Sequence, residues 1–463
     1  MFKLTKLKSL FNKLNISNHK NCSYCNKPFT KKLWCKECDP FMMIEGWSSG
    51  NNEIDKFIKD TIYGARNEDR KFLEWVPFDK FKDINQIGEG GFSKVYSATW
   101  IDGPKAIYGK YDEGLKNRKS EPIKVALKRL NGSENMSAEY LNEIKILWDL
   151  CQIEDGGLSF YGMTKDPETE ELIIISEYAD KGNLRSVLLH NFNNTLWKDK
   201  LLYLQWITYG LKSLHELGYF HKDFHSGNIL QTTNPSESDL NASYISDFGL
   251  SGPSNKQKSD DKICGVLPYI APEVLNGEPY SLFSDIYSFG IIMAELSSGK
   301  PPFHKRKHDT TLALEICNGL RPEFGNGTPE IYKKLAYKCM NANSNQRPTA
   351  EELFNIINFW DDSLRLNKKK EEFGYEGKEI KAMFEEADKE IPNISTLYEK
   401  NPDAIYTSRL FTFSNLTKPV NSSIITGYLN DEENNKDCQD SQLFDLEISS
   451  SLQLKDDINN KEG

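Results

Sequence analysis

The sequence predicts an α+β chain: a strand-rich stretch followed by a longer helical one, with a small cysteine ribbon ahead and a charged tail behind. Three observations carry that expectation. From Phe81 onward the residues take strand spacing around a glycine-rich turn. Residues 201–217 instead repeat apolar side chains at Leu204, Ile207, Leu211 and Leu214, a helical period that Gly218 closes. Upstream stand two Cys-x-x-Cys pairs in a chain whose 463 residues exceed a single ordinary core.

Composition narrows the class. With 38% hydrophobic and 12% aromatic residues the chain can bury a core, and its net charge of -10 argues against a general polyanion binder. No apolar run approaches the ~20 residues that would span a bilayer. Lysines interrupt Phe2, Leu4 and Leu7, so no continuous secretory segment forms. Nine cysteines without such a signal point to a reducing compartment. A cytoplasmic protein with nuclear access is expected.

In chain order, residues 1–20 read as a basic tail and residues 21–40 as a ribbon. Cys22, Cys25, Cys35 and Cys38 place four thiolates where one tetrahedral Zn²⁺ can collect them, in a segment with too little core to fold otherwise. A closed four-cysteine site is structural, and a protein partner is its natural ligand. Nucleic acid is disfavoured despite Lys27, Lys31, Lys32 and Lys36. Residues 41–80 read as a helical linker, because Ile54, Phe57, Ile58 and Ile62 share one helix face.

The strands then bracket Ile87, Gly88, Glu89, Gly90, Gly91, Phe92, Ser93, Lys94 and Val95. Glycines in such a turn let backbone N–H groups approach phosphates that side chains would hold off. Val125-Ala126-Leu127-Lys128 sets a lysine on the following strand, and residues 138–150 offer Glu143 as its partner, with Glu139 competing. An apolar strand ends at Ser176-Glu177-Tyr178-Ala179 and empties into a hinge-like Asp180-Lys181-Gly182-Asn183. After the helix comes His221-Lys222-Asp223-Phe224-His225-Ser226-Gly227-Asn228, an acid and an amide in one loop, and then Asp247-Phe248-Gly249.

This ordered set, with Ala271-Pro272-Glu273, resembles the eukaryotic protein kinase family over residues 81–358. The resemblance implies a two-lobed fold: an antiparallel N-lobe sheet with one helix, a mainly helical C-lobe, and ATP between them. It implies Lys128 on the phosphates, Glu143 orienting Lys128, Asp223 as catalytic base, and Asn228 and Asp247 on Mg²⁺. Residues 87–95 would cover the nucleotide, and Glu177 and Ala179 would offer backbone to adenine behind a small Ser176. Asp285, in Ser-Asp-Ile-Tyr-Ser-Phe-Gly, would brace the catalytic loop, and Arg347 would pair with Glu273. The loop and that helix look like the tyrosine-kinase-like Ser/Thr branch, in a fungal expansion type with a Cys-rich ribbon.

Some positions depart from the pattern. His225 and Val266 stand where Ser/Thr kinases carry lysine and threonine, and Lys222 replaces an arginine that would grip an activating phosphate bidentately. A Tyr or dual-specificity kinase, or a nucleotide-binding scaffold, therefore stays open beside a Ser/Thr kinase acting on protein substrates. Ser251, Ser254 and Ser259 are available for phosphorylation, and Cys264 reads as a loop thiol or a redox sensor. Residues 359–421 are expected as a helical and docking tail, helical over 368–391 and with Ser, Thr and aromatic residues over 401–421 suited to a docking or phosphorylated stretch, and residues 422–463 as a disordered acidic tail.

Overall fold

The computed structural model describes residues 21, 26–28, 47–68, 72–90, 93–104, 121–133, 138–233, 241–253, 263–366, 371–413 and 416–434. The chain folds as two compact units. The first holds the described residues up to Lys181 with parts of 230–252, and the second holds Gly182–Ile229 and most of the chain after Pro253.

The first unit is built on a six-stranded sheet. In chain order it comprises helix α1 (Asn52–Glu68), β1 (Glu74–Trp75), β2 (Phe81–Glu89), β3 (Ser93–Trp100), β4 (Ile123–Leu130), α2 (Ala138–Gln152), β5 (Phe160–Lys165) and β6 (Leu172–Glu177). The sheet order is β1-β5-β6-β4-β3-β2, antiparallel throughout except between β1 and β5. Alternation along β4 decides what each face does. Val125 and Leu127 enter one core with Phe81, Ala98, Trp100 and Ile175. Leu130 enters the other, with Ile174, Ile144 of α2, and Ile54, Ile58 and Ile62 of α1. Lys128 shares the parity of Leu130, so it projects on the face that α2 covers. The α1 stripe is the one its spacing predicts, and Asn51 caps the helix by accepting from the N–H groups of Glu53 and Ile54 at 2.9 and 3.2 Å.

The second unit is mainly helical: α3 (Leu184–Asn191), α4 (Trp197–Glu216), α5 (Leu282–Ser298), α6 (Thr310–Cys317), α7 (Glu330–Cys339) and α8 (Ala350–Arg365). α5 is buried nearly all round and ends at Gly299, whose φ of 69° is the left-handed cap glycine supplies readily. A short strand β7 (Ile263–Gly265) follows Ser251, Ser254 and Ser259 in sequence.

The chain beyond residue 358 stays in this unit. Residues 371–376 form a two-strand hairpin, β8 (Glu371–Glu372) and β9 (Tyr375–Glu376), where a continuous helix over 368–391 was expected. Phe373 and Gly374 both take positive φ, a turn no helix accommodates. Helix α9 (Gly377–Asp388) then drives Phe384 between Trp197 and Trp360, with ring centroids at 5.4 and 5.6 Å. Strand β10 (Arg409–Phe411) pairs antiparallel with β7. The disorder expected from residue 422 is corrected by α10 (Ser423–Asn434): Ile425 is buried, and Tyr428 stacks on Tyr337 and donates to Glu330 at 2.9 Å. Residues 435–463 lie outside the described residues, as do the four ribbon cysteines. Among the described residues no helix is long and apolar enough to cross a membrane.

One buried charge in this unit gives a prediction. Lys200 is fully buried on the core face of α4, and its ammonium lies over the Phe192 and Trp197 rings at 4.1 and 4.8 Å without a hydrogen-bond acceptor among the described residues. Burial lowers its pKa to about 7, although Asp388 and Asp199 act the other way. The unfolded chain therefore binds the extra proton between about pH 7 and the ordinary lysine value, and stability rises with pH there by up to ~1.4 kcal/mol per unit. Lys200→Met is expected to flatten that rise and to raise the urea midpoint at pH 6. An unchanged slope in urea melts at pH 6, 7.5 and 9 overturns the assignment.

Candidate active site

In the first unit, β2 and β3 approach the glycine turn with Gly88 opposite Val95 and Glu89 opposite Lys94, and Gly90 N–H donates to Ser93 O at 2.9 Å. Gly91 and Phe92 lie outside the described residues. A Cβ on Gly88 would meet nothing nearer than Val95 Cβ at 3.7 Å, and on Gly90 nothing nearer than Ser93 O at 3.9 Å. The fold itself does not require glycine at either position.

Lys128 carries the ion pairs of this unit's site. Its Nζ lies 2.5 Å from Glu143 Oε1 and 2.7 Å from Asp247 Oδ1, with the Glu143 side chain 2% exposed and that of Asp247 47%. Burial alone would lower the Lys128 pKa, but Asp247 and Glu143 outweigh it and hold the ammonium charged. Asp247 itself sits at φ 66°, a left-handed conformation that Asp adopts at modest cost, while Phe248 is buried behind it. A Cβ on Gly249 would reach within 3.3 Å of Glu143 Oε2, so glycine leaves that carboxylate its room. At the end of β6, Glu177 N–H donates to Ser159 O at 2.9 Å. Beyond Ala179, Asp180 accepts from Thr233 N–H and its hydroxyl at 2.9 and 2.7 Å and fixes the hinge segment.

In the second unit, Asp285 at the start of α5 accepts from the backbone N–H groups of His221 (2.7 Å) and Lys222 (3.2 Å) and contacts His215 Nε2 at 3.1 Å. Lys222 takes φ 68°, and its ammonium lies over the Phe220 and Tyr280 rings at 5.4 and 5.6 Å. Asp223 is thereby presented at the loop's crest, 6% exposed. Asn228 Nδ2 donates to Asp223 O at 3.0 Å. His225 Nδ1 accepts from Gly227 N–H at 3.0 Å, so in the neutral ring the proton sits on Nε2, 3.6 Å from Asp223 Oδ1. Burial would raise the Asp223 pKa, but His225, the Ser408 hydroxyl and His221 together hold it at about 2.

Two features were not legible as site residues. Ser408 donates to Asp223 Oδ2 although 185 positions separate them. Gly265 takes φ 140°, and a Cβ there would crowd Asp223 Oδ1 at 3.3 Å. Cys264 is buried, and burial and the neighbouring Asp223 push its thiol up to about 11, away from the thiolate a redox sensor uses. Of the candidate phosphosites, Ser251 is described and its carbonyl accepts from Asn142 Nδ2 at 3.0 Å, while Ser254 and Ser259 lie outside the described residues. The Asp247 carboxylate of the first unit and, separately, the Asn228 amide of the second are each oxygen donors of the hard type that Mg²⁺ takes.

A family profile described as protein tyrosine and serine/threonine kinase matches residues 81–357. Among curated relatives, a probable serine/threonine-protein kinase of Dictyostelium discoideum is 27% identical over 313 residues, covering 64% of this chain and 16% of its own length. A second from that organism is 30% identical over 282 residues, covering 60% of this chain and 8% of its own. A probable LIM domain-containing serine/threonine-protein kinase, also of Dictyostelium, is 28% identical over 332 residues, 69% of this chain and 32% of the relative. The chain thus spans less than a third of the length of each of these relatives.

The scaffold under the second unit's loop is testable on its own. Arg347 meets Glu273 bidentately at 2.7 and 2.7 Å and also donates to Phe283 O and Asn341 O at 2.8 Å, its side chain fully buried. Arg347→Met strands the Glu273 carboxylate and is expected to lower stability by about 3–5 kcal/mol, whereas Arg347→Met with Glu273→Leu recovers most of that loss. Equal urea midpoints for the single variant and the parent refute the account.

Proposed function

Because this chain belongs to the protein tyrosine and serine/threonine kinase family, we propose that it transfers the γ-phosphate of ATP to serine and threonine hydroxyls of protein substrates in an Mg²⁺-dependent reaction. The observation that carries the reading is Lys128 held by Glu143 and Asp247, a cation kept charged and oriented for phosphate. Each residue then has a role. Residues 87–95 cover the phosphates, Lys128 pairs with them, and the Glu177 carbonyl and Ala179 N–H take adenine beside Ser176. Asp223 accepts the hydrogen bond of the incoming hydroxyl and then its proton. Asn228 and Asp247 would hold Mg²⁺, which when bound neutralises charge developing on the transferred phosphoryl group.

Serine and threonine acceptors are favoured by the names its relatives carry, and the Asp223-Phe224-His225-Ser226-Gly227-Asn228 loop supports a reading in the tyrosine-kinase-like branch. His225 takes over part of the work of the lysine that Ser/Thr kinases carry at its position, since its Nε2 lies 3.6 Å from Asp223 Oδ1. Cys22, Cys25, Cys35 and Cys38 are proposed to bind one structural Zn²⁺ and to face a protein partner, and the chain is proposed to act in the cytoplasm.

Two measurements check this reading. Purified protein with Mg²⁺ and ATP is expected to phosphorylate a generic protein substrate, and Asp223→Asn to lose about 10²–10⁴-fold in rate. Phosphoamino-acid analysis should return phosphoserine and phosphothreonine. Equal rates for parent and Asp223→Asn overturn catalysis, nucleotide binding without turnover marks a scaffold, and phosphotyrosine overturns the acceptor class. Separately, elemental analysis should find about one zinc per chain, lost in the Cys22→Ser, Cys25→Ser variant with Mg²⁺-dependent transfer retained. A zinc-free parent refutes the ribbon.

A further inference from the structure

We propose that residues 401–413 are an acceptor peptide built into the chain, and that Ser408 is phosphorylated within the same molecule. The inference rests on the kinase reading above and adds to it a named acceptor and site. All of its geometry lies in the second unit. The Ser408 hydroxyl donates to Asp223 Oδ2, the position a substrate hydroxyl must take to give its proton to that base.

The flanking backbone is held as an added strand holds a peptide. Arg409, Leu410 and Phe411 stand opposite Gly265, Cys264 and Ile263. Main-chain pairing of this kind gives affinity with little dependence on sequence. Gly265 makes the approach possible, because a side chain there would press on Asp223. On the other side, Arg185 Nη1 donates to Tyr406 O at 3.2 Å and its guanidinium covers the Tyr406 ring at 4.9 Å. The Tyr406 hydroxyl donates to Pro302 O at 2.8 Å, and Arg409 Nη2 donates to His308 O at 2.5 Å. The segment nonetheless leaves Leu410 59% and Ile405 36% exposed, as a peptide lying in a surface groove does and a core strand does not.

The step balances. Ser408 Oγ forms a bond to the γ-phosphorus of Mg²⁺-ATP, the bridging bond to the β-phosphate breaks, ADP leaves with that electron pair, and the hydroxyl proton passes to Asp223. The phosphate that results sets two more negative charges on a side chain whose partner is the Asp223 carboxylate, so the segment must leave.

Full-length protein is incubated with Mg²⁺-ATP and the phosphate located by mass spectrometry across about a ten-fold range of protein concentration, since an intramolecular step is independent of dilution. Phosphoserine at 408 at a rate unchanged by dilution is expected, phosphothreonine in Ser408→Thr, and no phosphate there in Asp223→Asn. Before ATP is added, amide exchange should be slow across β7 and β10, and it should quicken once Ser408 is modified. Transfer to a generic substrate with Ser408 untouched overturns this inference and leaves the kinase reading standing. Transfer to no acceptor overturns both. Fast exchange in β10 before ATP overturns the seated segment whatever the activity, and a rate proportional to concentration overturns the intramolecular step.

Discussion

The second unit depends on one grip: the Asp285 carboxylate holding the backbone N–H groups of His221 and Lys222. Lys222 is a side-chain-bearing residue at φ 68°, a conformation that costs on the order of 1 kcal/mol and persists only where its surroundings over-determine it. A buried carboxylate accepting two amides supplies that determination, because releasing either would leave a charge desolvated and underpaired. The strained residue in turn lifts Asp223 from the loop. The Arg347 to Glu273 pair and the caps of α5 then serve to keep the helix that carries Asp285 in register.

The first unit solves a different problem, a lysine needed on a half-buried strand. Parity along β4 gives Val125 and Leu127 to one core and sends Lys128 to the face of α2. There two carboxylates outweigh the cost of burial, and the ammonium stays charged. The orientation of Lys128 is therefore a by-product of which residues fill the two cores. Moving the register of β4 by one residue would place Lys128 among Trp100 and Ile175 and would destroy the ion pairs and the packing together.

Much of this was legible because kinase motifs are local: a short run of sequence fixes both residue type and neighbourhood. Glu143 could be preferred to Glu139 because it sits within the apolar pattern of its helix, and it is the carboxylate that reaches Lys128. What escaped is long-range or compositional. Ser408 has no local signature, and only the pairing of β10 with β7 brings it to Asp223. Helix α10 was hidden by acidic composition, although one buried Ile425 and the Tyr428 to Tyr337 stack suffice to seat it. Lys200 was readable after all. It lies four residues before Leu204, on the same stripe, and a charge on an apolar stripe signals either a partner or a shifted pKa.

Asp223 ties these threads to the chemistry. A carboxylate held at about 2 is ionised at any physiological pH, which makes it a weak proton acceptor but a dependable hydrogen-bond acceptor. That suits a transfer through a loose transition state, in which the hydroxyl keeps its proton until late and orientation matters more than base strength. The low value is also partly the work of Ser408. When that hydroxyl leaves, a lowering influence goes with it while burial by the rest of the loop continues to act in the opposite direction. The same contact that sets Ser408 on Asp223 thus also helps keep that carboxylate ionised.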